Sequence, residues 1–246
     1  MKKTKRNGAT GIAVRNLFTV MAALLLVFGF NACSNGGGGG GPAGEPGGTK
    51  DSKYFRPGTT EYYEVGDEVT SDDGVSGKIF YDSFKDPDIM DYFTLYRDAD
   101  DKVGVKARYL VVHPDRDETT YRWASQEFIG PPPPVPRPLL SIDGTGTAVG
   151  TGKKNTALIL KLDPNAPPAK KCRDYGAEWF LPSVDEVVKL TNLPENDLLW
   201  AGGYWSSSQF DMVKAWAGRT EAADPDDFRQ AFEKYLSFRV FAIRAF

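Results

Sequence analysis

Short apolar and aromatic runs punctuated by Gly, Asp, Asn and Pro recur along the chain and read as strands. Strands are predicted at 77–81, with 71–74 as the turn before it, and at 91–97 and 104–112 around the acidic turn 98–102. Further strands are predicted at 204–208, 214–218, 228–232 and 236–246. Helical spacing appears at 184–190, and a further short helix is read at 167–175. The clearest local signal is Ser183 three residues ahead of Glu186. A serine in that place caps the free amides of a helix start, and the glutamate reaches back to close the box. An aromatic strand-like entry at 179–181, stopped by Pro182, leads into it, and Gly202-Gly203 breaks the chain after it. The pattern predicts an α+β fold of antiparallel or mixed sheets with a few short helices, organised around residues 179–208.

The strings GTGKKNT, CRDYGAEWFLPSVDEVVKL, YWSSS, AW and RVFAIRAF occur in that order and run to the last residue. They resemble the family named for the C-terminal domain of the Legionella collagen-like adhesin, with YEVGDEVTSDDGVSGKIFYD as its opening hairpin. The resemblance spans 61–246. It implies a C-type-lectin-like fold, distantly similar to that of formylglycine-generating enzymes, on a secreted or surface-anchored bacterial protein. It implies little about a ligand. The glycine-rich stretch 144–155 is, in that resemblance, the turn into the helix 156–162. As a phosphate loop it fails, because Thr147 stands where glycine is required and Lys153 is followed by Lys154 rather than Ser or Thr.

The beginning of the chain changes the picture of where the domain works. Lys2, Lys3, Lys5, Arg6 and Arg15 precede an almost wholly apolar run at 17–30, which is short for a membrane span but suited to a signal peptide. Asn31-Ala32-Cys33 then resembles a bacterial lipobox, with Phe30 in place of the leucine usually found three residues before the cysteine. The expectation is a lipoprotein signal at 1–32, acylation of Cys33, and a Gly-rich flexible tether at 33–57. A single lectin-like domain follows at 58–246, with a Pro-rich insertion near 131–138 that cannot pair as a strand. Membrane is therefore an expected partner, through lipid at the outer membrane or cell surface. Losing the leader removes five of the 30 basic residues and none of the 33 acidic ones, leaving a net charge of about −8. Nucleic acid is excluded as a partner on that balance. Charge-driven binding of sulfated glycans would need Lys153, Lys154, Lys170, Lys171 and Arg173 to gather on one side.

Catalytic chemistry finds few residues to use. His113 is the single histidine, no serine sits in a Gly-x-Ser-x-Gly elbow, and one histidine with one thiol serves zinc poorly. With Cys33 acylated, Cys172 has no disulfide partner and reads as a buried small hydrophobe. The Asp residues of 98–102 lack the glycine and glutamate offsets of a calcium loop and read as a solvated hairpin tip. No enzyme activity, cofactor or metal is expected, with a glycan-acting enzyme built on a carboxylate pair as the remote alternative. Binding is the favoured class, directed at host matrix, glycan or another envelope protein; the alternative is a structural envelope component without a soluble ligand. The candidate contact residues are Tyr121, Trp123 and Trp200, read as exposed aromatics, and Glu195, Asn196 and Asp197 of an acidic segment. Trp205 and Trp216 read as core, with sugar stacking as the alternative. Arg244 in the last strand needs a partner, for which Asp185 and Glu186 are the candidates.

Overall fold

Strand β5 (Tyr109–Val112) lies at the centre of the fold, in a four-stranded antiparallel sheet of order β1 (Glu68–Thr70), β2 (Ser76–Asp82), β5, β11 (Ile243–Ala245). This computed structural model describes residues 54, 56, 61–70, 74–115, 117–128, 140–190, 193, 202–219 and 228–246. The expectations for the signal, Cys33, most of the tether, the 131–138 insertion, Glu195, Asn196, Asp197 and Trp200 lie outside the described residues; of the expected tether, Tyr54 is buried in the core and Arg56 bonds Asp67. All four residues of β5 are buried, because the sheet is covered on both faces. Tyr109 and Val111 enter one hydrophobic cluster with Trp123, Trp179 and Trp205, while Leu110 and Val112 enter another with Phe80, Phe180 and Ile243. The two-residue period thus divides one short strand between two cores.

The remaining sheets are small. β3 (Phe93–Leu95) pairs with β4 (Val105–Ala107), β6 (Tyr121–Arg122) with β10 (Ser237–Phe238), and β7 (Gly203–Gln209), β8 (Lys214–Arg219) and β9 (Arg229–Glu233) form a three-stranded sheet, all antiparallel. Three helices complete the described fold: α1 (Gly152–Leu162), α2 (Pro167–Asp174) and α3 (Val184–Lys189). The architecture is α+β, with mostly antiparallel small sheets and few helices.

Three predicted boundaries move. The 104–112 strand is broken at Arg108, which turns to make a buried pair with Asp82 through bonds of 2.9 and 3.0 Å. The 236–246 strand becomes β10 and β11, since Phe238 pairs with Tyr121 while Ile243 pairs with Val112. Helix α1 starts at Gly152 rather than 156, because its first turn packs under a buried carboxylate. A Cβ at Gly152 would stand 2.2 Å from Glu186 Oε2. Gly150, just before it, has φ +91°, and a Cβ there would meet the Thr94 carbonyl oxygen at 2.0 Å.

The capped helix forms as its sequence demands. Ser183 Oγ accepts from the Glu186 amide, and the Glu186 carboxylate accepts from the Ser183 amide at 2.7 Å and the Gly150 amide at 2.8 Å. The expected entry strand at 179–181 is a single antiparallel bridge, Phe180 to Ile243. The serines of β7 are buried ties: Ser206 Oγ donates to the Trp216 carbonyl, Ser207 Oγ to that of Pro182 and Ser208 Oγ to that of Gly146. They hold the three-stranded sheet, the helix entry and the glycine-rich loop together. Asn155 completes the loop by bonding both the amide and the carbonyl of Gly146.

Candidate functional site

The end of β2 and the end of α3 enclose a cleft of about 370 Å³, lined by Val65, Tyr81, Asp82, Lys85, Asp86, Pro87 and Lys189. Local chemistry turns the chain at one wall. Asp82 accepts from the Phe84 amide and caps the short 3₁₀ turn Ser83–Lys85, after which the Asp86 carboxylate accepts from the Asp88 amide. The opposite wall is Lys189, the last residue of a helix whose start is fixed by its capping box. Lys189 Nζ reaches Asp86 Oδ2 at 2.6 Å, and the Tyr81 hydroxyl donates to the same carboxylate at 2.9 Å.

Burial would by itself raise the Asp86 carboxyl, but its bonds to Lys189, the Asp88 amide and Tyr81 outweigh burial and hold it below the usual carboxylate range. The Tyr81 hydroxyl is pushed up, first by burial and then by Asp86, and stays a neutral donor. Asp82 is neutralised by Arg108, whose guanidinium lies 3.9 Å from the Tyr62 ring centroid and 4.5 Å from that of Phe84. The cleft wall is therefore made of buried polar groups bonded to one another, with the ammonium groups of Lys85 and Lys189 partly exposed beside the apolar surfaces of Val65 and Pro87. Such a wall can align hydroxyl groups and pack on the C–H face of a ring.

The structure separates the aromatic candidates. Trp123 is a core residue, 1% exposed, not an exposed contact. Its indole Nε1 donates to the Ser206 carbonyl at 2.7 Å, and Lys234 Nζ lies 4.6 Å over its ring. That lysine donates to the carbonyls of Leu140 and Met212 and to Gln209 Oε1, and burial brings it down to about 8. Tyr121 is half-buried in β6, with its hydroxyl bonded to Asp117. Tyr121 and Trp123 therefore line no common exposed groove. Trp205 is core, as expected, and its Nε1 donates to the Tyr121 carbonyl. Trp216, expected in the core, is only half-buried and meets the exposed Phe210 edge-on at 5.0 Å.

Other expectations resolve in the same region of the fold. Asp185 pairs with Arg229 at 3.2 Å and Glu186 accepts from backbone amides, while the Arg244 guanidinium lies 5.1 Å from the Trp179 ring centroid. Cys172 is fully buried and its thiol is pushed up by burial. The 98–102 turn is closed by Asp101, which accepts from the amides of Arg97, Val103 and Gly104. The lysines proposed for a basic patch are occupied: Lys153 pairs with Glu178, Lys170 with Asp174 and Lys171 with Asp117, while Lys154 donates to the Asp101 carbonyl. Among the described residues, no group of three or more His, Cys, Asp and Glu side chains could hold a metal ion.

Tyr81, Asp86 and Lys189 were not legible as a site, because the cleft joins segments about a hundred residues apart. The only local hint was the Asp86-Pro87-Asp88 turn. Compared with known proteins, the chain matches no protein-family model and no curated protein sequence.

Proposed function

We propose that this chain is a bacterial envelope lipoprotein, held at the outer membrane or cell surface through acylated Cys33, whose lectin-like domain binds a hydroxylated extracellular polymer without catalysis. The polymer is a glycan, or a glycosylated matrix or envelope protein. The observation that carries the binding reading is the cleft in which Tyr81 and Lys189 converge on the buried Asp86 carboxylate. A hydroxyl group both donates and accepts, so a polar wall edged by the partly exposed Lys85 and Lys189 ammonium groups suits it better than a purely apolar ligand. The anchor rests on the leader and Cys33. The lectin-like fold rests on the order of motifs along the chain, and the last strand, β11, closes the main sheet beside β5.

A glycan array probed with purified full-length protein in detergent tests the reading. Saturable binding is expected, unchanged by a chelator and lost in Lys189→Met. Absence of saturable binding to any extracellular polymer overturns it in favour of a purely structural envelope component.

A further inference from the structure

The charges around the cleft are not equivalent. Asp82 takes two bonds from Arg108 and one from the Phe84 amide, and Asp86 takes bonds from Tyr81, the Asp88 amide and Lys189. Both carboxylates are buried, and their negative charge is spent on protein donors. Lys85 is placed differently. It stands at the cleft with more than half of its side chain exposed, and it pairs with Glu64 at 3.7 Å. Glu64 is itself 63% exposed and lies 3.9 Å from Arg56, a guanidinium already committed to Asp67 through bonds of 2.8 and 3.1 Å. An exposed, loosely held carboxylate thus sits beside the cation that faces the ligand space. Contacts of this kind contribute little to stability.

We infer that Lys85 selects a carboxylate-bearing saccharide, a uronic acid unit, and that Glu64 occupies at Lys85 the place that the ligand carboxylate takes. The inference rests on the cleft reading above and adds the ligand class. The sugar ring would pack on Val65 and Pro87, with a hydroxyl beside Tyr81 and Lys189 and its carboxylate at Lys85. The net charge of about −8 after loss of the leader opposes long polyanions at a distance. Recognition is therefore of a short acidic segment fitted to the cleft, not of bulk charge.

Calorimetric titration of the full-length protein with oligogalacturonate and with a neutral oligoglucose of the same length tests this. The acidic sugar is expected to bind more tightly. Glu64→Gln should tighten acidic binding by about 2–5-fold, the scale of one exposed charge contact, and leave neutral binding unchanged. Lys85→Met should abolish the preference. Equal binding of both sugars, or weaker acidic binding in Glu64→Gln, overturns the uronate inference and leaves the cleft reading standing. Binding of neither sugar, with retained array binding to another glycan that Lys189→Met abolishes, overturns the inference alone. Array binding that Lys189→Met does not affect overturns both.

Discussion

Lys189 Nζ lies 2.6 Å from Asp86 Oδ2, and this contact joins the end of α3 to the turn that follows β2. Asp86 is almost wholly buried, whereas Lys189 keeps about a quarter of its side chain in solvent, so the pair is fixed on one side and accessible on the other. Replacing Lys189 by Met leaves a buried carboxylate without its ammonium. The expected cost is about 2–3 kcal/mol, below that of a fully buried pair because Lys189 is partly exposed. Because Asp86 is held below its ordinary range, the stability it contributes is present above the unfolded carboxylate value and lost as pH falls through the folded one. Urea unfolding at neutral and at acid pH should show the Lys189→Met deficit shrinking in acid. A deficit independent of pH would contradict this.

Glu186 gives a dependence of opposite sign. Complete burial pushes it up to about 7, against the backbone amides of Ser183 and Gly150 that pull it down. A carboxyl raised in the fold stabilises most when protonated. Its contribution is full below the unfolded value of about 4.5 and is lost as pH rises through about 7. Glu186→Gln keeps an oxygen acceptor and cannot ionise. The wild-type melting temperature should fall relative to that of Glu186→Gln between about pH 5 and pH 7.5. Parallel curves for the two proteins would contradict the assignment.

Trp123 is a structural residue, and its truncation should behave as one. Trp123→Phe leaves the buried Ser206 carbonyl without its indole donor and Lys234 beside a smaller ring, at a cost of about 1–3 kcal/mol. Glycan affinity of the folded variant should be unchanged when measured well below its melting temperature. A weakened affinity without loss of stability would return Trp123 to the ligand surface.

The anchor makes its own demand. Cys33→Ser should move the protein from the membrane fraction to the soluble one after cell disruption. Retention in the membrane fraction, resistant to salt, would contradict acylation at this residue.

What could be read in advance followed the range of the interactions. Helix α3 was legible because Ser183 and Glu186 carry its start within four residues. Strand β2 and the strands of the β7–β8–β9 sheet were legible because each is a short apolar or aromatic run bounded by turn residues. The break at Arg108 was not, since its cause is Asp82, 26 positions earlier. Trp123 was misread for the same reason: the groups that bury and satisfy it, Ser206 and Lys234, lie far along the chain and leave no trace in the local pattern. The cleft depends wholly on such a distant meeting, between Asp86 and Lys189.

Hydrogen exchange of the full-length protein, with and without a saturating glycan identified on the array, tests the placement of the site most directly. Slowed exchange confined to 81–88 and 185–190 is the predicted result. Protection confined to 210–216, around Phe210 and Trp216, or no protection at 81–88, would contradict it.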